Sequence, residues 1–125
     1  MSIDHKLQAV IDEFVSEGFN ASLSAFDSRL KAMLDSINDF HVSNCPEFGA
    51  FVASVDESTS TSSEWGKLPY LPTSIFKGLS LRSVSIDEIF REVQSSATSS
   101  GKPSRIFLDR ANNTRWTRSL LKIMS

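Results

Sequence analysis

The sequence predicts a mixed fold, α/β or α+β: an N-terminal helical region, a proline-rich connector, then a strand, loop and strand followed by a closing helix. Three observations predict it. Apolar residues recur every three or four positions from Ile3 to Ile37, the period of a helix with one buried face. The polar tract from Gln94 to Pro103 lies between two short apolar runs, as the turn of a hairpin does. The stretch from Ala111 to Met124 returns to helical spacing.

Each element follows in order. Ile3, Leu7, Val10, Ile11 and Phe14 form one stripe, predicting a helix from Ile3 to Val15. Gly18 and Asn20 interrupt it, and Leu23, Phe26, Leu30, Met33, Leu34 and Ile37 predict a second helix from about Ala21 to about Phe40, so the two make a helical hairpin. Asn44 is the expected N-cap of a third helix, with Pro46 in its first turn, Glu47 at the positive end of its dipole, and Phe48, Phe51 and Val52 as its buried face. Asp56 to Glu64 is a Ser/Thr-rich tract with no apolar anchor, expected as a surface loop. Pro69 and Pro72 exclude a regular helix and hold Leu68 and Leu71 extended, so the run to Lys77 reads as a docked, extended connector. Leu79 to Val84 alternates as a short strand does, and Asp87 to Val93 suits either a helical turn or a strand. Ser104 to Leu108 reads as a strand. The last helix places Trp116, Leu120, Leu121 and Met124 on one stripe, with Asp109 or Asn112 as its cap. The expected organisation is therefore a helical region over residues 1–55, a loop over 56–64 and a C-terminal unit over 65–125.

Composition narrows the function classes. The 125 residues carry 15 acidic and 13 basic side chains, a net charge of −2 and one cysteine. Nine Phe and two Trp supply large apolar groups for a core, which argues against wholesale disorder. Cys45 has no second cysteine for an internal disulfide, and His5 and His41 are too few to complete a structural zinc site. No stretch is long and apolar enough for a membrane span, and Asp4, Asp12 and Glu13 stand where a signal peptide would be apolar, so a cytoplasmic protein with no membrane partner is expected. The charge is divided: residues 1–75 sum to −7 and residues 76–125 to +5. A basic half suits nucleic acid or a smaller phosphate-bearing ligand. The row Arg105, Arg110, Arg115, Arg118 and Lys122 has only Phe107 and Trp116 as aromatic complement and no accompanying motif, so nucleic acid is not an expected partner.

Ligand chemistry concentrates in the loop over residues 95–104. Ser95, Ser96, Thr98, Ser99, Ser100, Gly101 and Lys102 are the candidate binding residues. Hydroxyls and closely approached backbone N–H groups are what a polyphosphate needs, and Lys102 and Arg105 add positive charge. The same composition also suits a solvated hairpin turn. It is not a Walker loop, because no Gly stands five residues before Gly101 and Pro103 follows Lys102. His41 has no acid or nucleophile spaced to partner it and reads as a hydrogen-bonded structural residue; Cys45 reads as a small buried hydrophobe, and Lys77 as a surface lysine. No residue is assigned a catalytic or metal-binding role.

Three blocks resemble, in order and spacing, the acyl-protein synthetases of the LuxE type, a family of the adenylate-forming superfamily. His41-x-x-Asn44-x-Pro46-x-Phe48 is similar to that family's His-x-x-Asn-x-Pro-x-Tyr, and Leu68-Pro-Tyr-Leu-Pro-Thr-Ser-Ile-Phe-Lys77 to its Leu-Pro-Phe-x-Pro-Val-Ser-x-Phe-Lys. Ser95-Ser96 through Ser104-Arg105-Ile106 is similar to Ser-Ser-Gly-Thr-Thr-Gly-x-Pro-Ser-x-Ile, with Ala97-Thr98 where the family has a Gly and one further residue before Gly101. The resemblance runs from about Ile37 to the C-terminus. It implies that residues 65–125 begin an adenylate-forming large domain whose phosphate-binding loop is 95–104. It further implies ATP and Mg2+ as cofactors, and activation of a fatty acid or other carboxylate as an acyl-adenylate for transfer to a protein thiol of an acyl-carrier or reductase partner. Such enzymes are expected to be about three times as long, well beyond one ordinary domain, with adenine contacts, acyl pocket, late lysine and acyl-accepting cysteine downstream. The alternative is a non-catalytic truncated fragment, or a docking subunit of a split ligase whose remainder is separately encoded, without activity alone.

Overall fold

A computed structural model describes residues 5–17, 23–55, 68–96 and 101–125. The elements in order are α1 (His5–Glu17), α2 (Leu23–Asn44), α3 (Pro46–Ser54), α4 (Ile75–Gly78), a 3-10 turn (Ile86–Glu88), β1 (Ile89–Gln94), β2 (Arg105–Asp109) and α5 (Arg110–Met124). The fold is mixed α and β, with a single two-stranded antiparallel sheet among the described residues. The expected tract Asp56 to Glu64 lies outside them.

The first two helices pair as expected, with the Phe14 and Phe26 rings in tilted contact at 5.1 Å between centroids. Arg29 bridges to Glu17 at the end of α1. The second helix runs four residues past Phe40, and this corrects the predicted cap of the third. Asn44 remains helical and its Nδ2 donates to the Phe40 carbonyl at 2.8 Å. Cys45 takes the N-cap instead, with φ −118° and ψ 100°. Pro46 dictates this, since the residue before a proline is driven from the helical to the extended region. One residue thus suffices to turn the chain, and α3 folds back on α2 so closely that a Cβ added at Gly49 would stand 2.8 Å from the Val42 carbonyl oxygen.

The connector is extended only in part. Ile75–Gly78 is a helical turn, started by Ile75 N–H donating to the Pro72 carbonyl at 3.0 Å and Phe76 N–H to the Thr73 carbonyl at 3.2 Å. A proline forbids helix at and before itself but leaves its own carbonyl free to accept, so the turn begins directly after Pro72. Leu79 to Val84 is not a strand. A strand needs a hydrogen-bonded neighbour along its length; this segment is instead anchored through side chains, Ser80 to Arg105 at 2.6 Å and Ser83 to His41 at 2.6 Å. Of the two conformations open for Asp87 to Val93, the 3-10 turn and then β1 share it. Ser85 N–H and Oγ both donate to Glu88 Oε2, at 3.0 and 2.9 Å, and fix the turn that leads into the strand.

Strands β1 and β2 pair from Ile89 with Asp109 to Gln94 with Arg105, with an irregularity between Ile89 and Arg91. Asp109 caps α5 by accepting from Asn112 N–H at 2.7 Å, and α5 then crosses both strands and meets α1. Its buried residue is a charged one. Arg115 is 6% exposed and donates to Asp12 at 2.7 Å, to Asn112 at 2.9 Å, and to the carbonyl and side chain of Gln8. Trp116, Leu120, Leu121 and Met124 are exposed. Among the described residues the buried apolar side chains are Met33 and Cys45.

Candidate functional site

The polar loop is held at its mouth. Beyond the last strand pair, Ser95 N–H donates to the Ser104 carbonyl at 3.0 Å, and Ser104 N–H donates to Ser95 Oγ at 2.9 Å. These two bonds continue the ladder by one residue and fix where the loop begins and ends. Ser96, Gly101 and Lys102 are exposed next to that mouth. Gly101 has φ +69°, a left-handed conformation that glycine adopts without the cost a Cβ brings. Thr98, Ser99 and Ser100 lie outside the described residues. Arg105 is turned toward Ser80, with its guanidinium 5.9 Å from the Phe107 ring centre, so it braces the base of the hairpin.

The other basic residues of the C-terminal half are dispersed rather than aligned. Arg110 lies over the Phe90 ring at 4.5 Å, Arg115 is buried against α1, and Lys122 donates to the carbonyls of Val15 and Ser16 near the C-terminal end of α1. A cation is favoured there by the helix dipole. Four of the five basic side chains of that row, Arg105 included, are therefore engaged within the chain.

The three sequence blocks converge on one cavity of about 300 Å³. The first block contributes His41, Cys45 and Phe48, the connector contributes Leu71 and Phe76, and strand β2 contributes Ile106 and Phe107. Leu81, Arg82 and Ser83 complete the wall; the sequence pattern did not single out these three, and only their place between two recognised blocks hinted at them. The His41 ring meets Phe40 and Phe48 edge-on, at 5.6 and 6.3 Å. Its Nδ1 is 2.6 Å from Ser83 Oγ, the hydrogen-bonded role expected of it. Desolvation by this packing pushes the imidazole below its ordinary pKa, which favours the neutral ring. Cys45 is 3% exposed and its thiol points to Glu47 Oε2 at 3.6 Å.

Among the described residues no cluster of three or more His, Cys, Asp and Glu is placed to hold a metal ion, and no helix is long and apolar enough to cross a membrane. What the arrangement offers chemically is a hydrogen-bonded loop mouth with hydroxyls, backbone N–H groups and a lysine, leading into the strand that walls a mostly apolar cavity.

No curated protein and no solved structure matches the chain. The family model described as acyl-protein synthetase, LuxE, matches residues 6–125, and with that match spanning nearly its whole length the chain belongs to the LuxE acyl-protein synthetase family.

Proposed function

We propose that this chain supplies the polyphosphate-binding segment of an ATP-dependent acyl-protein synthetase, which converts ATP and a fatty acid to an acyl-adenylate and pyrophosphate before the acyl group passes to a protein thiol. Ser95, Ser96, Thr98, Ser99, Ser100, Gly101 and Lys102 hold the β- and γ-phosphates through backbone N–H groups, hydroxyls and the Lys102 ammonium, and so stabilise charge developing on departing pyrophosphate. Bound with the nucleotide, magnesium would share that charge. The partner is an acyl-carrier or reductase protein, the setting is cytoplasmic, and the domain division is 1–55, 56–64 and 65–125. The observation that carries the reading is the loop mouth pinned by Ser95 and Ser104 in a chain of this family. The residues present fit a phosphate: small side chains let the backbone approach it, and Gly101 holds the left-handed conformation from which N–H groups turn toward an anion.

Titration of the protein with pyrophosphate, followed through amide resonances, tests this. Selective shifts in Ser95, Ser96 and residues 101–105 are expected, weakening as salt rises because exposed charges are screened. Lys102→Ala should reduce the binding energy by about 1–3 kcal/mol, the range of a hydrogen bond to a charged group. Shifts spread evenly over all basic residues would leave the loop as a solvated turn.

A second reading is favoured by the exposure of the α5 apolar stripe, with Leu121 at 63% and Met124 at 83%. In it the chain is a non-catalytic fragment or docking subunit, and the stripe is covered by the remainder of a split ligase. Purified chain given ATP, magnesium and fatty acids would then catalyse no exchange of labelled pyrophosphate into ATP, and it would self-associate in sedimentation. Robust exchange by a monodisperse monomer would sink this second reading.

A further inference from the structure

The geometry points to a second chemistry in this chain: Ser83 is a nucleophile with His41 as its general base, and the pair cleaves small neutral esters whose aromatic alcohol part sits in the cavity against Phe48, Phe76 and Ile106. Sequence spacing offers His41 no nucleophile, but folding brings one from 42 residues away, with Ser83 Oγ 2.6 Å from Nδ1. That is hydrogen-bond reach for a nucleophile and its base. With the ring proton on Nε2, Nδ1 accepts from the hydroxyl, and the neutral ring is the form that desolvation favours. Phe40 and Phe48 meet the ring edge-on and fix its orientation, the part that a third polar group plays in other nucleophile and base pairs. Ser83 is half-buried on a segment outside regular structure, and both it and His41 line the cavity. A substrate seated there meets the pair directly.

The segment also supplies donors for the charge that develops on the ester oxygen. Among the described residues nothing accepts from the backbone N–H groups of Arg82, Ser83 and Val84, and donors of this kind stabilise a tetrahedral oxyanion. The reaction balances with water alone. Ser83 Oγ bonds to the ester carbonyl carbon while its proton passes to His41 Nδ1; the bond to the alcohol oxygen breaks, and that proton leaves on the alcohol. Water then gives a proton to the same nitrogen as it attacks the acyl-serine, the bond from carbon to Oγ breaks, and Ser83 takes the proton back. Size and walls set the substrate. A dry cavity of about 150 Å³ holds benzene, so one of about 300 Å³ takes an aromatic ring with a short acyl group, and phenylalanine walls favour a ring packed edge to face. The substrate carries no charge and no nucleotide takes part, so the activity stands apart from the proposed phosphate loop and survives its failure.

Hydrolysis of p-nitrophenyl acetate by the intact chain tests the proposal. The expected result is a burst of nitrophenolate matching the protein concentration, then slower turnover, with an acetyl group on Ser83. Tryptic cleavage after Arg82 and Arg91 isolates the labelled peptide, and its fragmentation separates Ser83 from Ser85. Ser83→Ala should abolish the label and lower the rate about 100-fold, and His41→Gln should lower it about as much with Ser83 in place, the lower part of the range for a general base. Ser80→Ala removes the other side-chain anchor of the same segment, to Arg105, and should change the rate by no more than about two-fold. Hydrolysis undiminished in Ser83→Ala, acetyl on Cys45 or a lysine rather than on Ser83, or a loss in Ser80→Ala equal to that in Ser83→Ala would each overturn it. The position of the label in the unsubstituted chain decides the question even where a variant does not fold.

Discussion

Among the described residues, the α1–α5 contact and the surroundings of His41 are built on opposite principles. At the α1–α5 junction a buried guanidinium is held by polar contacts: Arg115 donates to Asp12, to Asn112 and to the carbonyl and side-chain oxygens of Gln8, and Lys122 donates to the Val15 and Ser16 carbonyls in the last turn of α1. Around His41, a mostly apolar cavity is lined by residues of α2, α3, the 79–84 segment and β2, with the His41–Ser83 bond as a polar tie. The clamp is held by directional, charge-assisted hydrogen bonds, whereas the incompletely filled apolar junction forgoes the dispersion contacts that close packing would supply. Both junctions border a cavity, of about 240 Å³ beside the clamp and about 300 Å³ at the apolar side, so what separates them is the polarity of the contacts that hold them.

The clamp gives the largest expected effect. Arg115→Ala removes every donor to Asp12 and Gln8 at a buried position, and about 2–3 kcal/mol should be lost in urea unfolding. The lower part of the buried-pair range applies because the Asp12 side chain is 51% exposed and water screens its share. Arg115→Lys keeps the charge but not the fork, and about half the loss should remain. A loss no greater than for an exposed cation such as Arg118→Ala would show that α1 and α5 are not held by this clamp.

On the other side, the tightest point is backbone against backbone. Gly49→Ala places a methyl 2.8 Å from the Val42 carbonyl oxygen, and a main-chain atom cannot swing aside as a side chain would. The corner between α2 and α3 must open, at about 1–3 kcal/mol for such overpacking. Because His41, Cys45 and Phe48 all sit at that corner, Gly49→Ala should also broaden or shift their resonances, whereas Arg115→Ala should not. Equal disturbance of the cavity by both variants would erase the contrast between the junctions.

How much of this was legible in the sequence divides along the same line. The helical hairpin, the strand, loop and strand, and the closing helix were readable because each depends on local periodicity and turn chemistry. The family resemblance pointed to the blocks that wall the cavity. The burial of Arg115 was not readable: its spacing with Trp116, Leu120 and Leu121 says only that α5 has two faces, and the choice of the charged face for burial depends on Asp12 and Gln8, more than a hundred residues away in the chain. The Leu79 to Val84 expectation failed for a similar reason, since its alternation was satisfied by long-range side-chain anchors at Arg105 and His41. The roles of the loop residues rest on the resemblance, and Thr98, Ser99 and Ser100 lie outside the described residues.

The smallest effect sharpens the comparison through pH. The His41 pKa is lowered from its ordinary 6.5 by desolvation, so between the folded and unfolded values the native state holds fewer protons than the unfolded one. Stability therefore rises with pH across that window and is lost as pH falls below about 6.5 toward the folded value, under which both states are charged and no further loss occurs. Asp12 titrates in a separate range: Arg115 lowers its carboxyl below the ordinary 3.8, and its contribution disappears only as pH drops through that lower value. The two junctions thus loosen in sequence on acidification, the His41 side first. Unfolding midpoints of the wild type and His41→Gln, which keeps a hydrogen-bonding amide beside Ser83, should converge or cross between about pH 8 and pH 5.5, because only the wild type carries the imidazole proton. Arg115→Ala should retain the wild-type dependence in that range and lose it only in the acid range where Asp12 titrates. Parallel curves for wild type and His41→Gln from neutrality downward would mean that the ring is solvated, and that the junction holding the cavity is no more desolvated than the surface.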